Sequence, residues 1–378
     1  VRGPTIYFLL FILFIQGGIS WLSYHLLKKL FAVYRQPLIS RVYWLLTIAA
    51  IVSSVLLRTA KPLVASPEIL RLAFVWLIGQ IALLLLLPLF YIGGQLLRPV
   101  GDNTAMNGQG QLSRREFMKT AAAVLPAASL GISSYGVYSG GSEIVTKRHD
   151  LVLSNLPSGL NHFKIVQMSD THVGLFFSLE MLDQVLAAIK QEQPDMVVIT
   201  GDLIDDLSLL EPAIEKISAI SPNLPHGIYF CWGNHEYFRD INKVRQVLTN
   251  SLIGLLENSS KLIVDGERPF YLVGVDYPWA NNGQEQAEKR RLMLEQAMHN
   301  VPPDAFTILL SHHPDFIHNA FAAGIPLTLS GHTHGGQVAL FGRSLLPVRY
   351  QYMLGMYQQQ KSYAYVSAGT GNWFPFRL

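Results

Sequence analysis

The chain has 378 residues, half of them hydrophobic and only 15% charged, with a formal net charge of +3. That charge is too small, and its basic residues too scattered, for a nucleic-acid binder, so no nucleic-acid partner is expected. Its single cysteine, Cys231, excludes an internal disulfide and a cysteine metal cluster. The average composition conceals two unlike halves: long apolar runs up to about residue 140, then mixed apolar, charged and turn residues from about 145. The length therefore accommodates a membrane segment plus one sizeable globular domain.

Four apolar stretches open the chain, at about Pro4 to Leu27, Val42 to Leu57, Leu70 to Leu97 and Met118 to Gly140. Each is near the roughly 20 residues that a helix needs to cross a hydrocarbon core, the second being short and the fourth only weakly hydrophobic. Lys28, Lys29, Arg35 and Arg41 follow the first stretch, and Arg98, Arg114, Arg115 and Lys119 precede the fourth. The positive-inside tendency puts both groups in the cytoplasm and sends the C-terminal half to the far side, although Arg58, Lys61 and Arg71 weaken the contrast. Ser113-Arg114-Arg115-Glu116-Phe117-Met118-Lys119, ahead of an Ala-rich run, resembles a twin-arginine export signal, here at an internal position. No ionisable residue stands mid-span in the third or fourth stretch, which favours an anchor over an ion path. The expected organisation is about three transmembrane helices over 1–100, a cytoplasmic linker, the Arg-Arg motif and a fourth apolar helix over 101–143, and a folded domain over 144–378. The first residue is Val1 rather than Met, as expected of a processed chain, a fragment or an unusual start codon.

In the second half, Phe163 to Met168, Asp195 to Thr200 and Gly227 to Trp232 read as buried strands. Leu179, Leu182, Val185, Leu186 and Ile189 recur at helical spacing over Leu179 to Gln191. Weaker strands are predicted at Lys261 to Val264 and Phe270 to Val275, and a charged helix at Gly283 to His299. Strands at Phe306 to Ser311, Pro326 to Ser330, Gln337 to Phe341 and Tyr363 to Ser367 complete the pattern of a layered α/β domain.

Five of these strands end in loops that carry chemistry. They are Ser169-Asp170-Thr171-His172, Gly201-Asp202-Leu203-Ile204-Asp205, Gly233-Asn234-His235-Glu236, Ser311-His312-His313-Pro314-Asp315 and Ser330-Gly331-His332-Thr333-His334-Gly335-Gly336. Ligands of open α/β sheets collect at the carboxyl ends of strands, so these loops would gather Asp, Asn and His side chains at one place. Carboxylate with imidazole suits Mn, Fe or Zn and is nitrogen-rich for Mg. A carboxylate shared by two cations lets them sit roughly 4 Å apart, the spacing of two-metal hydrolases. Each motif alone is weak; all five in this order, each after a strand, leave little room for chance. No Ser nucleophile elbow and no Walker loop is present.

The order Asp-x-His, Gly-Asp, Gly-Asn-His-Glu, His, Gly-His-x-His resembles the calcineurin-like metallophosphoesterase superfamily over about residues 145 to 378. Ser-Asp-Thr-His, Gly-Asp-Leu-Ile-Asp and Gly-His-Thr-His-Gly-Gly-Gln are most similar to its bacterial membrane-associated members with a twin-arginine-type signal. The resemblance implies an α/β four-layer sandwich, two mixed β-sheets flanked by helices, preceded here by the helical transmembrane region. It implies one metal on Asp170, His172, Asp202 and His334 and another on Asp202, Asn234, His312 and His332, with Asp202 bridging. His235 would contact the scissile phosphate and protonate the leaving oxygen. Of the adjacent histidines, His312 is chosen over His313 because the family ligand stands two residues before Pro-Asp. Asp205 is expected to support the site or lie at the surface, and Glu236 either to orient His235 or to lie at the surface. Gly369-Thr370-Gly371 resembles a substrate-side loop, and one further strand is expected beyond Leu378.

From the residues themselves, Cys231 reads as core, Trp232 as support for the following loop, and Phe176 and Phe177 as ordinary packing, with lipid contact by the outward-facing one as the alternative. The expected activity is hydrolysis of a phosphodiester, phosphomonoester or pyrophosphate by two divalent ions, with a lipid-linked ester among the candidates. The expected place is the bacterial cell membrane, multi-pass, with the catalytic domain outside the cytoplasm. Two alternatives are a scavenging phosphodiesterase with soluble substrates and a membrane sensor whose metal domain only binds ligand; intact ligand positions and His235 weigh against the second.

Overall fold

A computed structural model describes residues 3–59, 67–96, 114–140, 144–153, 156–337, 339–340, 343–344, 350–372 and 376. The linker over 101–113, including Ser113 of the Arg-Arg motif, and the end of the chain past 376 lie outside the described residues. The chain falls into two units, one dominated by Val1–Ser142 and the other by Glu143–Phe374.

Among the described residues the first unit holds four α-helices: α1 (Gly3–Leu30), α2 (Pro37–Thr59), α3 (Pro67–Leu96) and α4 (Arg114–Tyr138). Helices α2 and α3 both begin on proline, whose fixed φ and missing N–H suit a first helical position. This starts them several residues before the apolar runs at Val42 and Leu70. Among the described residues, 37–55, 67–92 and 118–138 are long and apolar enough to cross a membrane. Leu27, Phe31, Leu83, Leu87 and Ala122 pack together inside, while Leu45, Leu89 and Tyr91 face outward. Polar groups buried here bond to each other: the Tyr43 hydroxyl donates at 2.7 Å toward Gln80 Oε1 and the Ser20 carbonyl, and Trp76 Nε1 donates to Thr47 Oγ1 at 3.1 Å.

The second unit begins with β1 (Ile165–Met168), α5 (Leu179–Glu192), β2 (Met196–Thr200), α6 (Leu210–Ser218), β3 (Ile228–Cys231), α7 (Asn234–Arg239), α8 (Ile241–Thr249) and β4 (Ile253–Leu255). It continues with β5 (Ser259–Val264), β6 (Phe270–Gly274), α9 (Gly283–Met298), β7 (Phe306–Ser311), α10 (Phe316–Ala322) and β8 (Leu327–Ser330). The short pair β9 (Ala339–Leu340) and β10 (Arg343–Ser344), then β11 (Gly355–Gln359) and β12 (Ser362–Val366), complete it. Strands β1 to β4 form one sheet in chain order, every pair parallel. The second sheet runs β11-β12-β8-β7-β6-β5, parallel in its centre and antiparallel at both edge pairs.

Side-chain alternation builds the layers. On β2, Val197 and Ile199 face the core under α5, α6 and α8, whereas Met196 and Val198 face the core between the sheets with Cys231, Leu272, Ile308 and Leu310. On the far side, Val273 and Leu309 meet Leu294, Phe316 and Ala320 of α9 and α10. The result is helix, sheet, sheet, helix, as the resemblance implies. Helix α5 illustrates the local logic: the Ser178 side chain caps it by accepting the Met181 N–H, and Leu182, Val185, Leu186 and Ile189 are buried along one stripe. Each such side chain contributes about 1.5–3 kcal/mol through burial.

Candidate metal centre

The five motif loops follow β1, β2, β3, β7 and β8, and the seven candidate ligands form one connected cluster. On one side, His172 Nε2 lies 3.1 Å from His334 Nε2, and His334 Nε2 is 3.4 Å from Asp170 Oδ1. On the other, His312 Nε2 lies 3.0 Å from His332 Nδ1, 3.1 Å from Asn234 Oδ1 and 3.2 Å from Asp202 Oδ2. Asp202 Oδ2 is also 3.7 Å from His172 Nε2, which joins the two sides. All seven residues except His332 are buried.

The polar groups here converge on points suited to positive charge. His312 Nδ1 donates to the Thr200 carbonyl at 2.8 Å, so its Nε2 carries a lone pair in the neutral ring. That lone pair faces Asn234 Oδ1, an Asp202 oxygen and His332 Nδ1. Acceptors directed at one point fit a cation. Burial works against charge on His312, yet Asp202 and Asp170 hold its pKa up to about 10, so these carboxylates draw positive charge to this point, as a proton or as a cation in its place. Burial likewise opposes charge on Asp202, but the surrounding His312, His172 and His235 keep its carboxyl well below the usual carboxylate range. The clustered His and Asp residues are suited to a two-metal site.

Backbone strain marks the same place. Asp170 (φ 52°), His172 (51°), Asp202 (53°), His332 (75°) and His334 (50°) are all left-handed, five of the seven candidates. Such conformations cost of order 1 kcal/mol or more each, and persist where the surroundings over-determine them. Close backbone approach is the other device. A Cβ on Gly233 would stand 2.2 Å from Asp202 Oδ1, and one on Gly331 would stand 2.0 Å from Ser169 Oγ. Only glycine lets these loops close on the carboxylates.

The structure separates the adjacent histidines. His312 points into the cluster, whereas His313 stacks behind His332 with ring centres 5.3 Å apart. His313 Nδ1 accepts the Asp315 N–H and Nε2 meets the Gln286 side chain. Burial, then Arg290 and His312, push His313 down to about 3, so it stays neutral.

One reading of the neighbours is corrected. Glu236 neither orients His235 nor lies at the surface. It is fully buried, and its carboxylate accepts the backbone N–H groups of Asp202, Leu203 and Gly233, tying two motif loops together. The partner of His235 is Asp205, whose Oδ1 lies 2.7 Å from His235 Nδ1 and 3.0 Å from Arg239, and whose Oδ2 lies 3.4 Å from His172 Nδ1. Burial would raise the Asp205 carboxyl, but its bonds to His172 and His235 depress it far below the usual range. His235 donates its backbone N–H to Asp202 Oδ1 at 2.8 Å. The 369–371 loop braces the first motif: Thr370 N–H donates to the Ser169 carbonyl at 2.7 Å and Gly371 N–H to the Asp170 carbonyl at 3.0 Å. Phe177 is buried and Phe176 half-buried; Cys231 and Trp232 are core.

Asp202, Asn234, His235, His332 and His334 line a cavity of about 210 Å³ with Tyr350 and Met353. Tyr350, unremarked in the sequence, has its hydroxyl 2.8 Å from His332 Nε2, which leaves His332 Nδ1 to face His312. A tyrosine in a loop after the last motif gives no spacing signal.

An α/β sandwich with buried His and Asp residues clustered for two metals at its strand ends is the architecture of a metal-dependent phosphoester hydrolase. Comparison with known proteins makes the assignment specific. A family model described as calcineurin-like phosphoesterase matches residues 163–336, and one described as the probable transmembrane domain of calcineurin-like phosphoesterases matches 4–141. The chain is 31% identical over 276 residues to the uncharacterized metallophosphoesterase YkuE of Bacillus subtilis, covering 69% of this chain and 91% of that one. It is 27% identical to phosphodiesterase YaeI of Escherichia coli, covering 71% of this chain and 95% of that one. It is 30% identical to a transmembrane protein with metallophosphoesterase domain from Danio rerio, covering 69% of this chain and 60% of that one. The chain belongs to the calcineurin-like metallophosphoesterases and carries an N-terminal domain of their transmembrane type.

Proposed function

We propose that this protein is a membrane-anchored hydrolase whose helices over 1–100 and 101–143 tether a catalytic domain, 144–378, on the extracytoplasmic side. The basic groups around Lys28 and Arg98 and the twin-arginine-like motif support that orientation. Asp170, His172, Asp202 and His334 would hold one divalent ion, Asp202, Asn234, His312 and His332 the other, with Mn, Fe or Zn favoured by the donor set. The observation that carries this reading is the pair of facing imidazole nitrogens, 3.1 Å apart at His172 and His334 and 3.0 Å apart at His312 and His332, flanking one carboxylate.

When bound, such ions supply Lewis acidity toward the phosphate oxygens and make water a competent nucleophile near neutral pH. Asp202, which stands between the two groups, would be shared by both ions. Asp205 holds the His235 ring through Nδ1, leaving Nε2 to face the phosphate and hand a proton to the departing oxygen. Arg239 shares the Asp205 carboxylate, which the bonds to His172 and His235 keep ionised. The substrate class is a phosphodiester, phosphomonoester or pyrophosphate, with lipid-linked esters included because the anchor keeps the domain at the bilayer. The test is a phosphoester panel, soluble and lipid-linked, offered to Mn-loaded full-length protein in detergent. Turnover confined to soluble esters would remove the lipid part, and turnover of none would remove the hydrolase assignment.

A further inference from the structure

Aromatic rings stand against His235 and His332. Phe238 follows it on α7, its ring centre 5.5 Å from the His235 ring, and it is 60% exposed. Trp279 stands 5.4 Å from Phe238 and is 37% exposed. Tyr277 lies 4.6 Å from Trp279 and 5.5 Å from His332. The three rings thus form a continuous strip from the His235 side of the cluster to the His332 side. They are held in place: Tyr237 packs 5.8 Å from Trp279 and donates its hydroxyl to Asp276 at 2.6 Å, and Lys289 Nζ donates to the Trp279 carbonyl.

We propose that Phe238 and Trp279 form a leaving-group subsite that selects phosphoesters whose departing group is uncharged and apolar. The proposal rests on the reading that His235 faces the leaving oxygen, since the strip begins where that oxygen's substituent would emerge. A second phosphate would need cations there, but among the described residues Arg239, next to Phe238 in sequence, pairs with Asp205 at 3.0 Å, and Lys289, bonded to the Trp279 carbonyl, pairs with Glu285 at 2.9 Å. An apolar substituent instead covers two large rings that otherwise face water. The Phe238 and Trp279 planes cross at 63°, so they offer a corner rather than a parallel slot, which accepts alkyl as well as aryl groups.

The test uses Mn-loaded full-length protein and matched phosphoesters that differ only in the leaving group: 1-naphthyl, n-hexyl or methyl. Taking the kcat/KM ratio of naphthyl or hexyl to methyl in each variant, relative to wild type, cancels intrinsic leaving-group reactivity. Phe238→Ala and Trp279→Ala should each lower both ratios about 10-fold, with metal content unchanged and Phe238→Leu restoring most of the loss. Inhibition by a non-hydrolysable naphthyl phosphonate should weaken in parallel. Unchanged ratios in both alanine variants would overturn the subsite, and a fall for naphthyl alone would overturn apolar selection in favour of planar stacking. Wild-type protein that turns over none of the three esters would instead overturn the hydrolytic reading beneath it.

Discussion

Both units bury polar side chains, and they treat them in opposite ways. In the helical unit Tyr43, Gln80, Ser20, Trp76 and Thr47 bond to one another. Donor meets acceptor, and nothing further is needed. In the catalytic unit His172 faces His334, and His312 faces His332, Asn234 and Asp202, imidazole nitrogens gathered with a carboxylate around shared points. Buried polarity that closes on itself holds helices together. Buried polarity aimed at a shared point, on a backbone held left-handed at five of seven positions, is arranged for something brought in from outside.

Substitutions can break or sharpen that contrast. The largest effect is expected at Asp202→Ala, which removes the carboxylate common to both sides of the cluster. Metal analysis should show loss of both ions, and kcat/KM should fall about 10³-fold or more, since several kcal/mol of charge stabilisation disappears. His235→Ala should keep both metals and slow kcat by about 10²–10⁴-fold, the scale of a general acid. Loss of metal in that variant would make His235 a ligand instead. Asp205→Asn touches both His235 and His172, and should weaken metal affinity or turnover about 10–100-fold, as outer-shell partners do. The smallest effect belongs to the helical unit. Gln80→Leu breaks one buried hydrogen bond, and should lower the detergent-phase melting temperature by the equivalent of about 0.6 kcal/mol while leaving turnover intact.

The candidate ligands, which the structure brings into one cluster, were legible in the sequence because each lies in a loop after a strand whose apolar run is strong, so that loop is located without knowing the fold. What the sequence could not reveal depends on how those loops meet. Asp205 is 30 positions from His235, and nothing in Gly-Asp-Leu-Ile-Asp says which imidazole its second Asp will reach. Glu236 sits next to His235 in sequence, yet α7 turns its carboxylate down onto the β2 and β3 loops. Strand β4 was missed because three residues give no period to read, and β11 because Met-Tyr-Gln-Gln is a polar edge strand supported by pairing to β12. Helices α6, α7, α8 and α10 are short, at nine residues or fewer, and owe their form to packing rather than to a long apolar stripe. The predicted strand at Gln337 to Phe341 survives in the described residues only as the two-residue β9.

The claim on which the rest depends is that one carboxylate joins two cations. Electron paramagnetic resonance of the Mn-loaded full-length protein tests it directly. Two Mn ions per chain with an exchange-coupled signal, as expected for ions roughly 3.5–4 Å apart, is the predicted result. A single ion per chain, or two with uncoupled spectra, would contradict it.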